Sequence, residues 1–318
     1  MDILSASIFK LQTENMITPK FIQPGSTIRI VSPAGKIDEK HVMPAVNWLE
    51  KQGYTVKLGR HVFARHFQFA GTDEQRAADV QEALDDPDCD AIICSRGGYG
   101  TVRIIEQLDF NQFLKNPKWL VGFSDITILH SRLHNIEVPT IHGVMPRYFF
   151  DDKGEPREDL TSMMALLKGE GISYGVDATE FDRQGTAAGP LVGGNLSIVT
   201  SLSGTKYDID TTGKILFLED IDEFLYHTDR MVHQLKLSGK LDNLAGLILG
   251  DYTDMKDNES PFGQTVHEIF TEAVKEFDYP VCYGFPGGHD KKNLALAFGR
   301  DWELEVAESG TRLRLKGD

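Results

Sequence analysis

The chain has 318 residues, more than one ordinary domain holds, so two domains around sizeable cores are expected, with one large domain as the alternative. Hydrophobic residues make up 41% and charged residues 25%, a soluble globular balance that excludes a disordered or fibrous chain. With 33 Lys and Arg against 48 Asp and Glu, the net charge of −15 repels a phosphate backbone, and no nucleic-acid partner is expected.

The first 24 residues read as a tail, because periodic structure begins only near Thr27 and Met16 offers a second start. They have neither the basic start nor the long apolar centre of a secretion signal, and no run in the chain approaches the ~20 apolar residues of a membrane helix. Cys89, Cys94 and Cys282 are odd in number and lie in or beside apolar, strand-like runs. Reduced buried thiols in a cytoplasmic protein with no membrane partner are therefore expected.

From Thr27 to Gly143, short β-rich runs alternate with amphipathic stretches of helical length, the signature of a parallel sheet with crossover helices. The predicted strands are TIRIVS, TVKLG, DAIICS, WLVGFS and PTIHG, and the predicted helices are Asp38 to Lys51, Asp73 to Leu84, Thr101 to Leu108 and Asp125 to His134. Residues 25–150 are assigned to this α/β, flavodoxin-like domain. Residues 151–188, rich in Asp, Glu, Gly and Lys with weak periodicity, read as a linker. Residues 189–318 then form a smaller, β-containing α/β domain. It holds a glycine-led helix in GGNLSIVTSLSG, the strand KILFLED, a helix from Glu223 to Leu237, the strand LAGLILGDY and the helix TVHEIFTEAVKEF. The end, LALAFGRDWELEVAESGTRLRLKG, alternates with period two around ESG, as a closing hairpin does.

In open parallel sheets ligands gather at the carboxyl ends of the strands, and three strand ends here carry polar residues that apolar packing does not explain. CSRGGYG (94–100) offers glycines whose backbone N–H groups can face an anion, although it lacks the Gly-Lys-Ser/Thr ending of a Walker loop. Ser124, between an apolar strand and a helix, is either that helix's N-cap or the hydroxyl of a nucleophile elbow; a G-x-S-x-G elbow would need glycine where Ile126 stands. A serine nucleophile needs a base and an orienting acid. His289, in the glycine turn YGFPGGHD, is the histidine placed to enter a cleft, and either Glu219 or Asp220 at the end of KILFLED can supply the acid. His130 and His134 are spaced i, i+4 but lack the glutamate of an H-E-x-x-H site, so no metal is expected there, and His227 and His233 belong to a polar helix face.

GFSD after an apolar strand, SRGGYG upstream, GGNLS with SLSGT, LFLEDIDEFLYHTDRMVHQLKLSG and GFPGGH together resemble the LD-carboxypeptidases of murein recycling, serine peptidases related to microcin immunity peptidases. The resemblance runs from about Thr27 to the C-terminus. It implies that Ser124 is the nucleophile, Glu219 the acid and His289 the base, with the backbone N–H groups of Gly98 and Asp125 forming the oxyanion hole. It implies a parallel-sheet domain followed by a smaller C-terminal domain, commonly as a homodimer, and chemistry that needs no metal or cofactor. The substrate would be a murein tetrapeptide losing its terminal D-alanine, whose charged end needs a cation; Arg96, beside the glycine turn, is the candidate. A microcin-type immunity peptidase acting on peptidyl-nucleotide conjugates, and a non-catalytic module binding a small ligand, are the alternative readings.

Overall fold

The computed structural model describes residues 16–317, so the first fifteen residues of the expected tail lie outside the described residues. The first half alternates strand and helix: β1 (Thr27–Val31), α1 (Glu39–Lys51), β2 (Thr55–Leu58), α2 (Asp73–Asp85), β3 (Cys89–Cys94), α3 (Thr101–Ile104), β4 (Trp119–Gly122), α4 (Thr127–His134) and β5 (Thr140–His142). The central strands β1, β3 and β4 are mostly apolar and buried along almost their whole length, as a sheet covered on both faces requires. Parallel pairing in the order β2-β1-β3-β4-β5 gives the flavodoxin-like arrangement, with its switch point between β1 and β3. Two helices differ from the sequence reading. Thr101 to Leu108 makes one α turn and then tightens to a 3-10 turn over Ile105–Gln107, and Asp125 to His134 is entered through a 3-10 turn, Ser124–Ile126.

The expected linker, 151–188, is instead folded into the core. It carries α5 (Glu158–Leu167), β6 (Ser173–Val176) and the start of β7 (Gly185–Asn195). Leu160, Met163, Met164, Leu166 and Leu167 are all buried, so one apolar helix stands between the polar stretches that suggested a linker. Beyond β7 follow α6 (Leu196–Leu202), β8 (Ile215–Ile221), α7 (Leu225–Leu237), β9 (Gly246–Thr253), α8 (Val266–Ala273), β10 (Val281–Cys282), β11 (Leu296–Phe298), β12 (Asp301–Ala307) and β13 (Gly310–Leu315).

A second sheet runs β10-β9-β8-β7-β12-β13-β6. Its β7 to β10 side is parallel and its β12, β13 and β6 side antiparallel. The 11-residue β7 joins the two: Gly185 to Pro190 pairs with β12, and Leu191 to Asn195 pairs with β8. The closing hairpin is β12 with β13, from Trp302 opposite Leu315 to Ala307 opposite Gly310. The alternating LALAF before it belongs elsewhere. As β11 it crosses to the first sheet and pairs antiparallel with β5, Leu296 opposite His142 and Phe298 opposite Thr140. The two sheets consequently share a core, in which Ile28, Trp119 and Ile141 join Phe217, Phe285 and Trp302 in one apolar cluster. Among the described residues no helix is long and apolar enough to cross a membrane.

Candidate active site

At the end of β4 the chain turns into a helix within two residues. Phe123 is extended, and Ser124 takes φ +64°, a left-handed conformation that costs a non-glycine residue of order 1–3 kcal/mol. Ser124 is therefore no N-cap; it is the first residue of the 3-10 turn, and its side chain caps no helix amide. Two glycines leave room for this turn. A Cβ on Gly97 would lie 3.0 Å from Ser124 Cβ and 3.1 Å from its Oγ, and one on Gly122 would lie 2.8 Å from the Ile126 side chain. The second contact explains how Ile126 fits where a G-x-S-x-G elbow has glycine: the space is released by Gly122 instead.

The glycine turn beside Ser124 is held through a single peptide. Arg76 Nη1 donates to Gly100 O at 2.9 Å, and Asp125 Oδ2 accepts from Thr101 N at 2.8 Å, so the Gly100–Thr101 unit is gripped at both ends by buried side chains. Burial holds the Asp125 carboxyl above its usual range even with that hydrogen bond. Gly98 has φ +103° and is exposed, and among the described residues neither its N–H nor that of Asp125 meets an acceptor. Arg96 is half-buried, with Nη1 donating to Lys36 O at 2.7 Å.

Period two along β8 sorts the two carboxylates. Ile215, Phe217 and Glu219 face the core shared with the first sheet, whereas Leu216, Leu218 and Asp220 face α6 and α7. Glu219 is fully buried, and its Oε2 lies 2.6 Å from His289 Nδ1. Asp220 goes elsewhere: Oδ1 accepts from Asn195 Nδ2 and Ile221 N, both at 2.9 Å, and Oδ2 accepts from Ser197 N at 3.0 Å. Burial, then the adjacent Glu219, pushes Asp220 up to about 7. Burial alone would lower the pKa of His289, but Glu219, by charge and hydrogen bond, followed by Asp220 and Asp251, outweighs it, and the imidazole is shifted upward. Nδ1–H faces a carboxylate, so Nε2 is the nitrogen left to take a proton. The His289 ring lies 5.0 Å from the ring of Phe123, the residue before Ser124, which places the β4 end beside the Glu219–His289 pair.

The other histidines and the thiols have other duties. His130 uses Nδ1 on Thr140 Oγ1 at 2.8 Å and Nε2 on Gly122 O at 3.0 Å, and burial pushes both it and His134 down to about 4. His227 pairs with Glu223 and His233 with Asp229 along α7. The three cysteines are free and buried, and burial raises the Cys89 and Cys282 thiols to about 12, far from a reactive thiolate. Sequence reasoning missed Arg76, Asp251 and Asn293, which surround the site without standing in any recognisable motif. Asp251, at the end of β9, is pushed up to about 7 by burial and by Asp290 and Glu219.

The sequence matches the LD-carboxypeptidase N-terminal domain over residues 28–143 and the LD-carboxypeptidase C-terminal domain over residues 188–304. It is 36% identical over 295 residues to the probable murein peptide carboxypeptidase of Bacillus subtilis (strain 168), covering 91% of this chain and 92% of that one. The chain belongs to the LD-carboxypeptidase family. Another relative, the murein tetrapeptide carboxypeptidase of Pseudomonas aeruginosa, is 34% identical over 296 residues, covering 90% of this chain and 94% of the relative. The crystal structure of muramoyltetrapeptide carboxypeptidase from Oxalobacter formigenes superposes with a TM-score of 0.82 at 29% identity, over 92% of this chain and 99% of that one. The two-sheet architecture is thus that of a solved LD-carboxypeptidase family fold, and the chain is a carboxypeptidase by kinship.

Proposed function

We propose that the protein is a serine-type LD-carboxypeptidase that removes the terminal D-alanine from murein tetrapeptide in the cytoplasm, working as a homodimer. The observation that carries this reading is the buried Glu219–His289 pair, 2.6 Å apart, beside a serine in left-handed conformation at a strand end. Relatives named for murein peptides, at 34% and 36% identity over nearly the whole chain, supply the substrate class.

In this reading His289 Nε2 takes the Ser124 proton as Oγ attacks the carbonyl carbon of the L-centre. Glu219 fixes the tautomer and stabilises the imidazolium. The oxyanion meets the N–H groups of Gly98 and Asp125, each contributing ~3 kcal/mol when well aimed. His289 then protonates the leaving amine of D-alanine, and water, activated by the same imidazole, hydrolyses the acyl-enzyme. Arg96 is the candidate for the free carboxylate, since Lys36 O engages only one of its guanidinium nitrogens.

The test offers murein tetrapeptide, the pentapeptide and an aminoacyl-sulfamoyl nucleotide to one preparation, with products read by mass spectrometry. D-alanine should leave the tetrapeptide alone. Preferential cleavage of the nucleotide conjugate would move the protein to the immunity-peptidase reading, and cleavage of the pentapeptide's terminal D-alanyl-D-alanine bond would break the LD assignment.

A further inference from the structure

The segment 283–295 bridges the two sheets, running from the end of β10 to the start of β11, and it carries His289. Within it Asn293 is only 3% exposed. Its Oδ1 lies 3.0 Å from Gly288 N and 3.0 Å from His142 Nε2. A backbone N–H can only donate, so the side-chain atom facing it must be the amide oxygen, and His142 must donate to the same oxygen. His142 is fully buried, and burial pushes it down to about 3, so it is neutral and carries its proton on Nε2. The backbone N–H of Asn293 in turn donates to Asp159 Oδ2 at 3.2 Å. Asp159 belongs to α5, pairs with Arg157 at 2.8 Å, and is itself buried; Arg157 also donates to Lys291 O. Asn293 is therefore tied to α5 and β5, and it reaches back to the residue before the histidine.

That residue has little freedom of its own. Gly288 takes φ +133°, and a Cβ there would lie 2.9 Å from Glu219 Oε2 and 3.0 Å from Glu219 Cβ. Its Cα is pressed against the acid while its N–H is fixed by Asn293. The direction in which His289 leaves the backbone is set by these two contacts.

We propose that Asn293, backed by His142, is a positioning residue for the base: it holds Gly288 so that His289 Nδ1 stays on Glu219. The proposal rests on the reading of His289 as the base, but its central claim concerns the imidazole and can be measured without substrate. The charged and titratable groups around that imidazole are Glu219 and Asp220 from β8, Asp251 from β9, Asp290 from its own loop and neutral His142 from β5.

The experiment compares Asn293→Ala and Asn293→Asp in the full chain, by NMR titration of the His289 imidazole and by kcat and KM on murein tetrapeptide. Asn293→Ala should lower kcat by ~100-fold, the effect of a misplacement of about 1 Å, with KM within about threefold. The His289 titration should move to lower pH, because part of the Glu219 contact that raises it is lost. Asn293→Asp keeps an acceptor oxygen for Gly288 and His142, so kcat should return to within about tenfold of the parent and the titration should sit at or above the parent's. A folded Ala variant with the parent's titration, or an Asp variant titrating below the parent, overturns the proposal. Should the Ala variant fail to fold, the Asp variant decides alone. Should the parent not cleave the tetrapeptide at all, the substrate reading fails while the titrations still judge Asn293.

Discussion

Ser124 follows a strand of the first sheet and His289 lies on the segment that bridges the two sheets, and different forces hold them in place. The serine is fixed by shape: a left-handed backbone and two glycines whose missing Cβ atoms leave room for it and for Ile126. The histidine is fixed by charge and hydrogen bonds, with Glu219 on its ring and Asn293 on the residue before it. A site held by shape should fail when atoms are added and be indifferent to pH. A site held by polar contacts should tolerate small volume changes, lose function when a charge or an acceptor is removed, and respond to pH. Separating the two devices places the imidazole's response to proton concentration on the polar half.

Four measurements sharpen or break this contrast. The largest effect is expected from Ser124→Ala, which should lower kcat by about 10³- to 10⁶-fold while the melting temperature stays near the parent's. A near-normal kcat would remove Ser124 from the chemistry. Glu219→Gln comes next, at about 10³- to 10⁴-fold, because the imidazole loses both its orienting acceptor and its counter-charge. The same variant tests pH dependence. A base acts deprotonated, and His289 is shifted upward in the native protein, so the acid limb of kcat/KM should lie above the usual histidine value of about 6.5 and should move down in the Gln variant. Gly97→Ala should cost ~100-fold with no displacement of that limb, since its Cβ would crowd Ser124 and leave the charges untouched. A moved limb would mean that the two halves are not independent. Asp220→Asn should be mildest, below about tenfold in kcat, because Asp220 bonds Asn195 and the start of α6, not the imidazole. If Asp220→Asn proves worse than Glu219→Gln, the wrong face of β8 has been assigned to catalysis.

The alternation of β-rich and amphipathic runs is a strong local signal, and β1 through β5 follow it closely. Ser124 and His289 stand out as candidates in the sequence because strand ends in parallel sheets are where unexplained polar residues are conspicuous. Glu219 and Asp220 could not be told apart locally: choosing between them requires knowing which face of β8 meets the other sheet, a long-range fact. LALAF alternates like its hairpin neighbours, yet a strand's sequence does not encode the sheet that receives it. The helix at Glu158–Leu167 is short and flanked by polar residues, so its apolar run was diluted in any window. Arg76 acts on the backbone of Pro33 and Gly100, and Asn293 is tied to the His142 side chain far upstream; such contacts leave no spacing to recognise.

The crossing of β11 into the first sheet bears on how the molecule comes into being. A ribosome delivers β5 long before β11, so until Leu296 to Phe298 are made, the first sheet ends in an open strand with unpaired backbone groups. The same late segment brings in His289 and Asn293. On the proposed reading, synthesis therefore yields no early catalytic fragment: the nascent chain carries Ser124 without His289 until the segment that leads into the sealing strand of the first sheet has been made.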